Sequence, residues 1–402
     1  MKHLYNIPAF LVLSIAAFSA AQEAPDETQP SAPRYETRTT FAAIDDATFY
    51  SQLAPPLPAT VTQIQKVTLL QNQLLLEPSF TLRYRSRLTL STSMVGVAGS
   101  FGGISASDFS LPPSTTGGNS ELNAALEPYN GTHTQLHVKE AYGGLSAGDF
   151  DFMAGRRMVR WGTGYAFSAA GVLDPPRMAT NPTDRLNLNQ GRDMFKADFV
   201  HGPHALQVAW ATAALAPAGS NLHNTTAFRY NVLVHGFDTS LIACNERGGD
   251  AVAALTFTRV LGQAWEIHGE GVWREQGAIL FGGKYTTNSG ITFIGEFYTP
   301  PNIPYYQGSM ISPLAGRQHY AFFTAYKNRL RELPGWKQWD LSAAVVANLD
   351  DQSTTVIFDT TRRFGNHISS YLHLQIPTGS ATSEYGATPY STATSVGVRF
   401  QL

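Results

Sequence analysis

Period-two alternation of apolar and polar residues runs through most of this chain, and it restricts the fold more than any other feature. Successive side chains of a β-strand point to opposite faces, so sustained alternation marks a sheet with two chemically different sides. At the C-terminus Val396, Val398, Phe400 and Leu402 share one face, and Gly397, Arg399 and Gln401 the other. Trp265, Ile267, Gly269, Gly271 and Trp273 alternate with Glu266, His268, Glu270, Val272 and Arg274. Similar runs contain Leu206, Val208 and Trp210, then Phe228, Tyr230, Val232 and Val234, then Ile368, Ser370, Leu372, Leu374 and Ile376. About sixteen runs can be followed, starting near residues 79, 132, 149, 193, 204, 225, 237, 250, 263, 278, 290, 318, 338, 354, 367 and 391.

The connections between runs mostly alternate in length. Short ones fall at Ala147-Gly148, Gly202-Pro203, His235-Gly236, Leu261-Gly262, Thr287 to Ser289 and Gly365-Asn366. Long ones fill 98–131, 161–192, 214–224, 299–317 and 377–390, while 330–337 is too long for its place and 350–353 too short. A water-soluble β-sandwich also alternates. Three features favour a membrane barrel instead: Trp, Tyr and Phe near strand ends, an even strand count with alternating turns and loops, and a chain that ends within a strand. A closed barrel also removes the unpaired edges that a bilayer cannot accommodate. The expected fold is therefore all-β: a transmembrane antiparallel up-and-down β-barrel of about sixteen strands, with eighteen as the alternative; a wall strand within 61–76 would change the count by at least one.

Composition excludes other classes. Past the N-terminus no uncharged apolar stretch reaches about 18 residues, the minimum for a spanning helix, so a helix-bundle transporter is ruled out. The 402 residues carry 28 Lys+Arg against 30 Asp+Glu, a net charge of −2 with no basic block, and no nucleic-acid partner is expected.

Met1-Lys2-His3, the apolar run Leu4 to Phe18 and the small residues Ser19-Ala20-Ala21 have the order of a secretory signal peptide, with cleavage expected before Gln22. Residues 22–76 read as a periplasmic lead-in, partly disordered, because Pro, Ala, Thr and Ser dominate up to about residue 60. Residues 77–402 are left for the barrel. Cys244 is the only cysteine, so the chain forms no internal disulfide, and a packing role near a strand end is expected for it.

The sharpest local pattern is Glu140-Ala141-Tyr142, a turn through Gly148-Asp149, then Asp151, Gly155-Arg156-Arg157 and Trp161-Gly162. Over about forty residues this resembles the alginate-export-like and porin-like barrels of Gram-negative outer membranes, whose pattern runs E-A-Y … G-D-x-D-x-x-x-G-R-x-x-x-x-W-G. The resemblance implies an outer-membrane barrel and a channel, without naming a solute. The hairpin is expected to bring Glu140 opposite Gly155 or Arg156. These two charges would then pair across the strands, or the arginines Arg156, Arg157 and Arg160 would project toward a permeation path.

Arg83, Arg85 and Arg87 occupy alternate positions against Leu82, Tyr84, Ser86 and Leu88. Cations facing lipid at mid-membrane cost about 2–4 kcal/mol each, so these three are expected in the lumen or at a headgroup interface. In the lumen they would attract anions, unless Glu140, Asp198, Glu266 and Glu270 or lipopolysaccharide phosphates neutralise them. The candidate pore-lining set is Arg83, Arg85, Arg87, Glu140, Arg156, Arg157, Arg160, Glu266, His268 and Glu270. Enzymatic signatures are absent: there is no Gly-x-Ser-x-Gly, no phosphate loop and no His-Glu-x-x-His. His201-Gly202-Pro203-His204 reads as a turn, not a metal pair.

The expectation is thus an exported bacterial outer-membrane channel for small polar solutes, anionic ones as an open option, with no catalytic residues, cofactor or metal. Loops 161–192 and 299–317 are the segments expected to narrow it. Its partners would be outer-membrane lipid and lipopolysaccharide, the barrel-assembly machinery and the solute, with a homotrimer as an open option. Two rivals remain: an export or assembly barrel working with periplasmic partners, and an outer-membrane enzyme.

Overall fold

The computed structural model describes residues 35–51, 69–85, 87–102, 124–129, 132–174, 191–212, 224–246, 251–273, 277–299, 319–330, 335–380, 383–386 and 390–402. The first strands are Tyr35–Ser51 (β1), Leu69–Tyr84 (β2), Leu88–Gly102 (β3), Ala124–Tyr129 (β4), Thr132–Ala147 (β5) and Phe150–Arg157 (β6). Then come Arg192–His201 (β7), His204–Ala211 (β8), Thr225–Val234 (β9), Phe237–Glu246 (β10), Ala251–Leu261 (β11), Trp265–Trp273 (β12) and Ala278–Thr286 (β13). Ile291–Thr299 (β14), Tyr320–Lys327 (β15), Trp339–Asn348 (β16), Ser353–Phe364 (β17), Ile368–Thr378 (β18) and Thr392–Gln401 (β19) complete the order.

Each wall strand pairs antiparallel with its neighbours, and β19 returns to β1 with Ala42 opposite Gln401 and Ser51 opposite Thr392. β3 pairs directly with β5, while β4 pairs only with the outer end of β5. Among the described residues the closed wall therefore has eighteen strands rather than about sixteen. The difference lies at the N-terminal end. β1 and β2 are wall strands, so much of the expected lead-in 22–76 is barrel, and the run expected near residue 79 is two strands, β2 and β3. The signal peptide and residues 22–34 lie outside the described residues.

Short turns gather at one end of the barrel. At His235 and Gly236 both central residues have positive φ, 49° and 80°, as a two-residue hairpin turn with the twist of its strands requires. The two length exceptions are real: the long connection 328–338 lies at this turn end, and the short one 349–352 lies at the opposite, loop end.

The outer face is apolar and exposed, with Leu241 and Phe281 each 56% and Phe323 52% accessible in mid-strand. Aromatic residues rim it. Trp265 and Tyr285 stand 4.4 Å apart at the turn end, with Trp336 and Trp339 5.1 Å apart further round, and Trp210 and Trp273 close the loop end. The inner face changes along the axis. Toward the loop end it carries Ala227, Ile242, Cys244, Val252, Leu280 and Val346, all buried. Toward the turn end the same strands carry Arg229, Asn231, Asp238, Ser240, Thr256, Lys284 and Ser342. An apolar inner wall facing water would be unfavourable, so something must cover its loop-end half.

Candidate functional site

Segment 158–174 provides the cover. After Arg157 the chain leaves the wall and enters the barrel, where Trp161, Ala166, Phe167, Ala170 and Leu173 are buried in the same apolar cluster as Leu280, Ile294 and Tyr320. The Phe167 ring stacks on Tyr298 at 4.9 Å and lies 5.8 Å from Tyr320.

A segment with neither strand nor helix must satisfy its backbone N–H groups in some other way. Two carboxylates of the inner wall accept them. Glu270 on β12 accepts the N–H of Thr163 and of Gly164 (3.0 Å) at Oε1, and those of Ala169 and Ala170 (both 2.6 Å) at Oε2. Glu296 on β14 accepts the N–H of Tyr165, Ala166 (2.9 Å) and Phe167 (3.3 Å). The Thr163 hydroxyl adds a bond to Glu270 at 3.2 Å. Hydrogen bonds to an ionised acceptor are about twice as strong as neutral ones, so seven N–H groups gathered on two carboxylates make a firm anchor.

The local sequence permits this arrangement. Small residues dominate Gly162 to Gly171, so few side chains obstruct the approach of N–H groups to the wall. On the wall, a Cβ at Gly282 would lie 2.4 Å from His268 Nε2 and 2.9 Å from Glu296 Cγ, so glycine leaves the space those two side chains use.

Further contacts fix the segment's ends and edge. Glu140 accepts the Met158 N–H at 2.9 Å, and Asp174 accepts those of Trp161 (2.6 Å) and Gly162 (3.3 Å). His268 Nε2 lies 3.1 Å from Glu296 Oε1, with both side chains fully buried. The Tyr165 hydroxyl donates to Glu266 at 2.8 Å and accepts from the Lys284 ammonium at 3.1 Å. Burial raises the Tyr165 hydroxyl above the ordinary phenol value, beyond what the neighbouring Lys284 offsets, so it remains a donor.

The sequence-derived candidates are therefore dispersed. Glu266, His268 and Glu270 face the interior, where His268 and Glu270 lie beneath the segment, 0% and 3% exposed. Glu140 does not pair with Arg156. The turn register sets Ala141 opposite Arg156 and Tyr142 opposite Gly155, and Glu140 holds Met158 instead. Arg156 is buried, makes a bidentate pair with Asp193 (2.9 and 2.7 Å) and donates to the Val138 carbonyl at 3.1 Å, so it is not a free cation of a passage. Arg157 is exposed and lies 4.7 Å over the Tyr142 ring, and Arg160 is exposed.

The arginine row lies at one end of the barrel, which agrees with the headgroup-level placement of the two expected and not with a row along the lumen. Arg83 is the penultimate residue of β2, Arg85 sits in the turn with φ 48°, and Arg87 precedes β3. The three cluster around a hairpin tip at the turn end and do not form a stripe along a lumen wall. Of the loops expected to narrow the barrel, the described part of 161–192 does enter it, whereas 299–317 lies largely outside the described residues.

Glu296, Lys284, Tyr165 and Asp193 were not singled out from the sequence. Glu296 had a signal: it stands on the face of β14 opposite Phe293 and Phe297, and a lone acid on an inward face lacks an obvious partner in its own strand. Elsewhere inside, the Tyr371 hydroxyl donates to Asp46 at 2.6 Å, and the His373 ring lies 2.6 Å from Asp359. His201 and His204 bond to Asp149 and Tyr230 at the turn, and among the described residues no three potential metal ligands gather.

No family model matches the chain, and no curated protein matches it by sequence. Solved structures match by fold. Acinetobacter baumannii OccAB3 is similar at a TM-score of 0.59 with 7% identity, covering 91% of this chain and 99% of that one. The outer membrane protein opdK of Pseudomonas aeruginosa gives 0.55 with 8% identity, covering 91% and 98%. Wzi of Escherichia coli, described as an outer membrane protein involved in group 1 capsule assembly and a carbohydrate-binding β-barrel, gives 0.53 with 11% identity, covering 89% and 84%. At these identities the likeness is one of fold.

Proposed function

We propose that this chain is an outer-membrane channel for small polar solutes, with segment 158–174 setting the width of its loop-end half. The observation that carries the reading is a closed wall, apolar outside and polar inside toward the turn end. Strands cross a bilayer only in closed barrels, because an open edge would leave backbone groups unsatisfied in hydrocarbon. Barrels of 16–18 strands are wide enough to hold an aqueous passage. The fold shared with solved outer-membrane proteins supports the location, and short turns at one end support a periplasmic turn end. The Glu140-to-Gly162 pattern and its alginate-export-like resemblance point the same way.

Solute preference would arise from the cations that reach the passage: Arg157 near the segment, Arg229 on the inner wall, and Arg83 at the turn-end mouth. An anionic solute suits them. The direct test is reconstitution of the mature chain in a planar bilayer under a KCl gradient. Steady conductance with an anion-biased reversal potential is expected, and a correctly folded barrel that never conducts overturns the channel reading.

One observation favours a second reading. The apolar packing of Phe167 against Tyr298 and Tyr320 closes much of the loop-end half, as in a sealed barrel that binds its ligand from outside. The same bilayer recording separates the two.

A further inference from the structure

We propose that the outer wall at the turn end of β14 to β18 seats one glycerophospholipid, its acyl chain in a groove and its phosphate on Lys327 and Arg362. The inference rests on the barrel lying in a membrane, but not on its conducting.

A groove of about 480 Å³ lies on this face. Its floor follows two rungs of the sheet. In one, Lys327, Leu341, Thr360 and Leu372 stand side by side; in the next, Ala325 stands beside Ala343. The two alanines create the hollow, since much of the surrounding outer wall carries large side chains such as Phe323 and Phe358. At the turn end the described residues 328–330 follow β15 past the groove. Leu330 is buried at the groove, with its N–H donated to the Trp339 carbonyl at 3.1 Å. This gives a purpose to the one turn-end connection that is too long for a simple hairpin.

Size, polarity and charge agree on the occupant. The volume is that of a small-ligand pocket, and its apolar lining suits an acyl chain. Hydrocarbon gains nothing by leaving a bilayer for an apolar groove, so the tail supplies fit and preference must come from the headgroup. Lys327 lines the groove, and Arg362 follows Thr360 by two residues on the same face. The Arg362 guanidinium lies 5.5 Å over Trp339 and 4.8 Å over Phe364. Cations held among aromatic rings at a barrel rim sit at headgroup level, and a phosphate accepts hydrogen bonds from both. A second copy docked symmetrically here would bring two such cationic patches together, which disfavours it.

The test uses the full chain, stripped of lipid in detergent and then incubated with phosphatidylglycerol, phosphatidylethanolamine or lipid A. Native mass spectrometry at rising collision energy reads what stays bound. One phospholipid is expected to survive on the wild type, with phosphatidylglycerol held longest. Ala343→Phe, which fills the groove, and the pair Lys327→Ala/Arg362→Ala should each lower that retained fraction at least tenfold with conductance unchanged. Equal retention by wild type and variants overturns the proposal, as does selective retention of lipid A. So does an Ala343→Phe effect on subunit stoichiometry with lipid retention unaltered. Heat-modifiable gel migration checks that Ala343→Phe folds; if it does not, the Lys327/Arg362 pair decides.

Discussion

Removing the Glu270 and Glu296 carboxylates should free segment 158–174 from the wall and widen the barrel. A buried N–H left without an acceptor costs about 1–3 kcal/mol. In the double variant Glu270→Ala/Glu296→Ala seven N–H groups lose theirs, so keeping the segment docked costs on the order of 7–21 kcal/mol. Opposing this is the burial of Trp161, Phe167 and Leu173, each worth about 1.5–3 kcal/mol, or on the order of 5–9 kcal/mol together. A shift of about 5.5 kcal/mol carries a two-state equilibrium from 1:99 to 99:1. Across most of these ranges, therefore, the segment leaves the wall.

Glu296→Ala alone strips three N–H groups, on the order of 3–9 kcal/mol, which is comparable with the apolar term. It should flicker between two conductance levels where the double variant sits at the higher one. The assays are single-channel recording and limited proteolysis mapped by mass spectrometry, with heat-modifiable migration as the control for an intact wall. Cleavage should appear within 158–174 together with a several-fold rise in conductance. An intact double variant with wild-type conductance and no new cleavage refutes the idea that these carboxylates hold the segment.

Arg156→Ala leaves Asp193 as an uncompensated, mostly buried carboxylate and should destabilise the folded barrel by about 3–5 kcal/mol in urea titrations in lipid vesicles, with Arg156→Met/Asp193→Leu recovering most of the loss. The triple variant Arg83→Ala/Arg85→Ala/Arg87→Ala should weaken anion preference in 0.1 M salt and scarcely alter it in 1 M salt. Charges at an open hairpin tip are screened over about 10 Å in the first condition and about 3 Å in the second, so an effect of equal size at both concentrations would contradict their position at the mouth. Leu241→Arg puts a cation on the lipid face in mid-strand and should cost about 2–4 kcal/mol in the same vesicle titration; an effect near zero would mean that this face does not meet hydrocarbon.

Alternation located the strands from β5 onward because their outer faces carry Phe, Trp and Leu while many inner positions carry Thr, Ser and Glu. β1 escaped for a specific reason. Its outward residues Phe41, Ala43, Asp45, Ala47 and Phe49 and its inward residues Ala42, Ile44, Asp46 and Thr48 each include an aspartate and alanine, so the two faces lose their contrast. β2 and β3 merged because the turn between them contains no glycine or proline. Tyr84-Arg85-Ser86-Arg87 continues the alternation in sequence, and Arg85 adopts the positive φ that glycine usually signals.

The anchor was half legible for a related reason. Period two assigns Glu270 and His268 to the interior, but it cannot tell whether an inward carboxylate meets water or a backbone from a segment more than a hundred residues away in the chain. The inner faces do carry that information when read along the axis. On β10 they pass from Cys244 and Ile242 at the loop end to Ser240 and Asp238 at the turn end, and on β16 from Val346 and Ala344 to Ser342 and Asp340. A uniformly wet lumen has no use for that gradient. Apolar positions repeated at one end of many inner faces require an apolar partner at that level. The small-residue stretch after Trp161, the part of the chain poorest in bulky polar side chains between two wall strands, is the segment able to supply it.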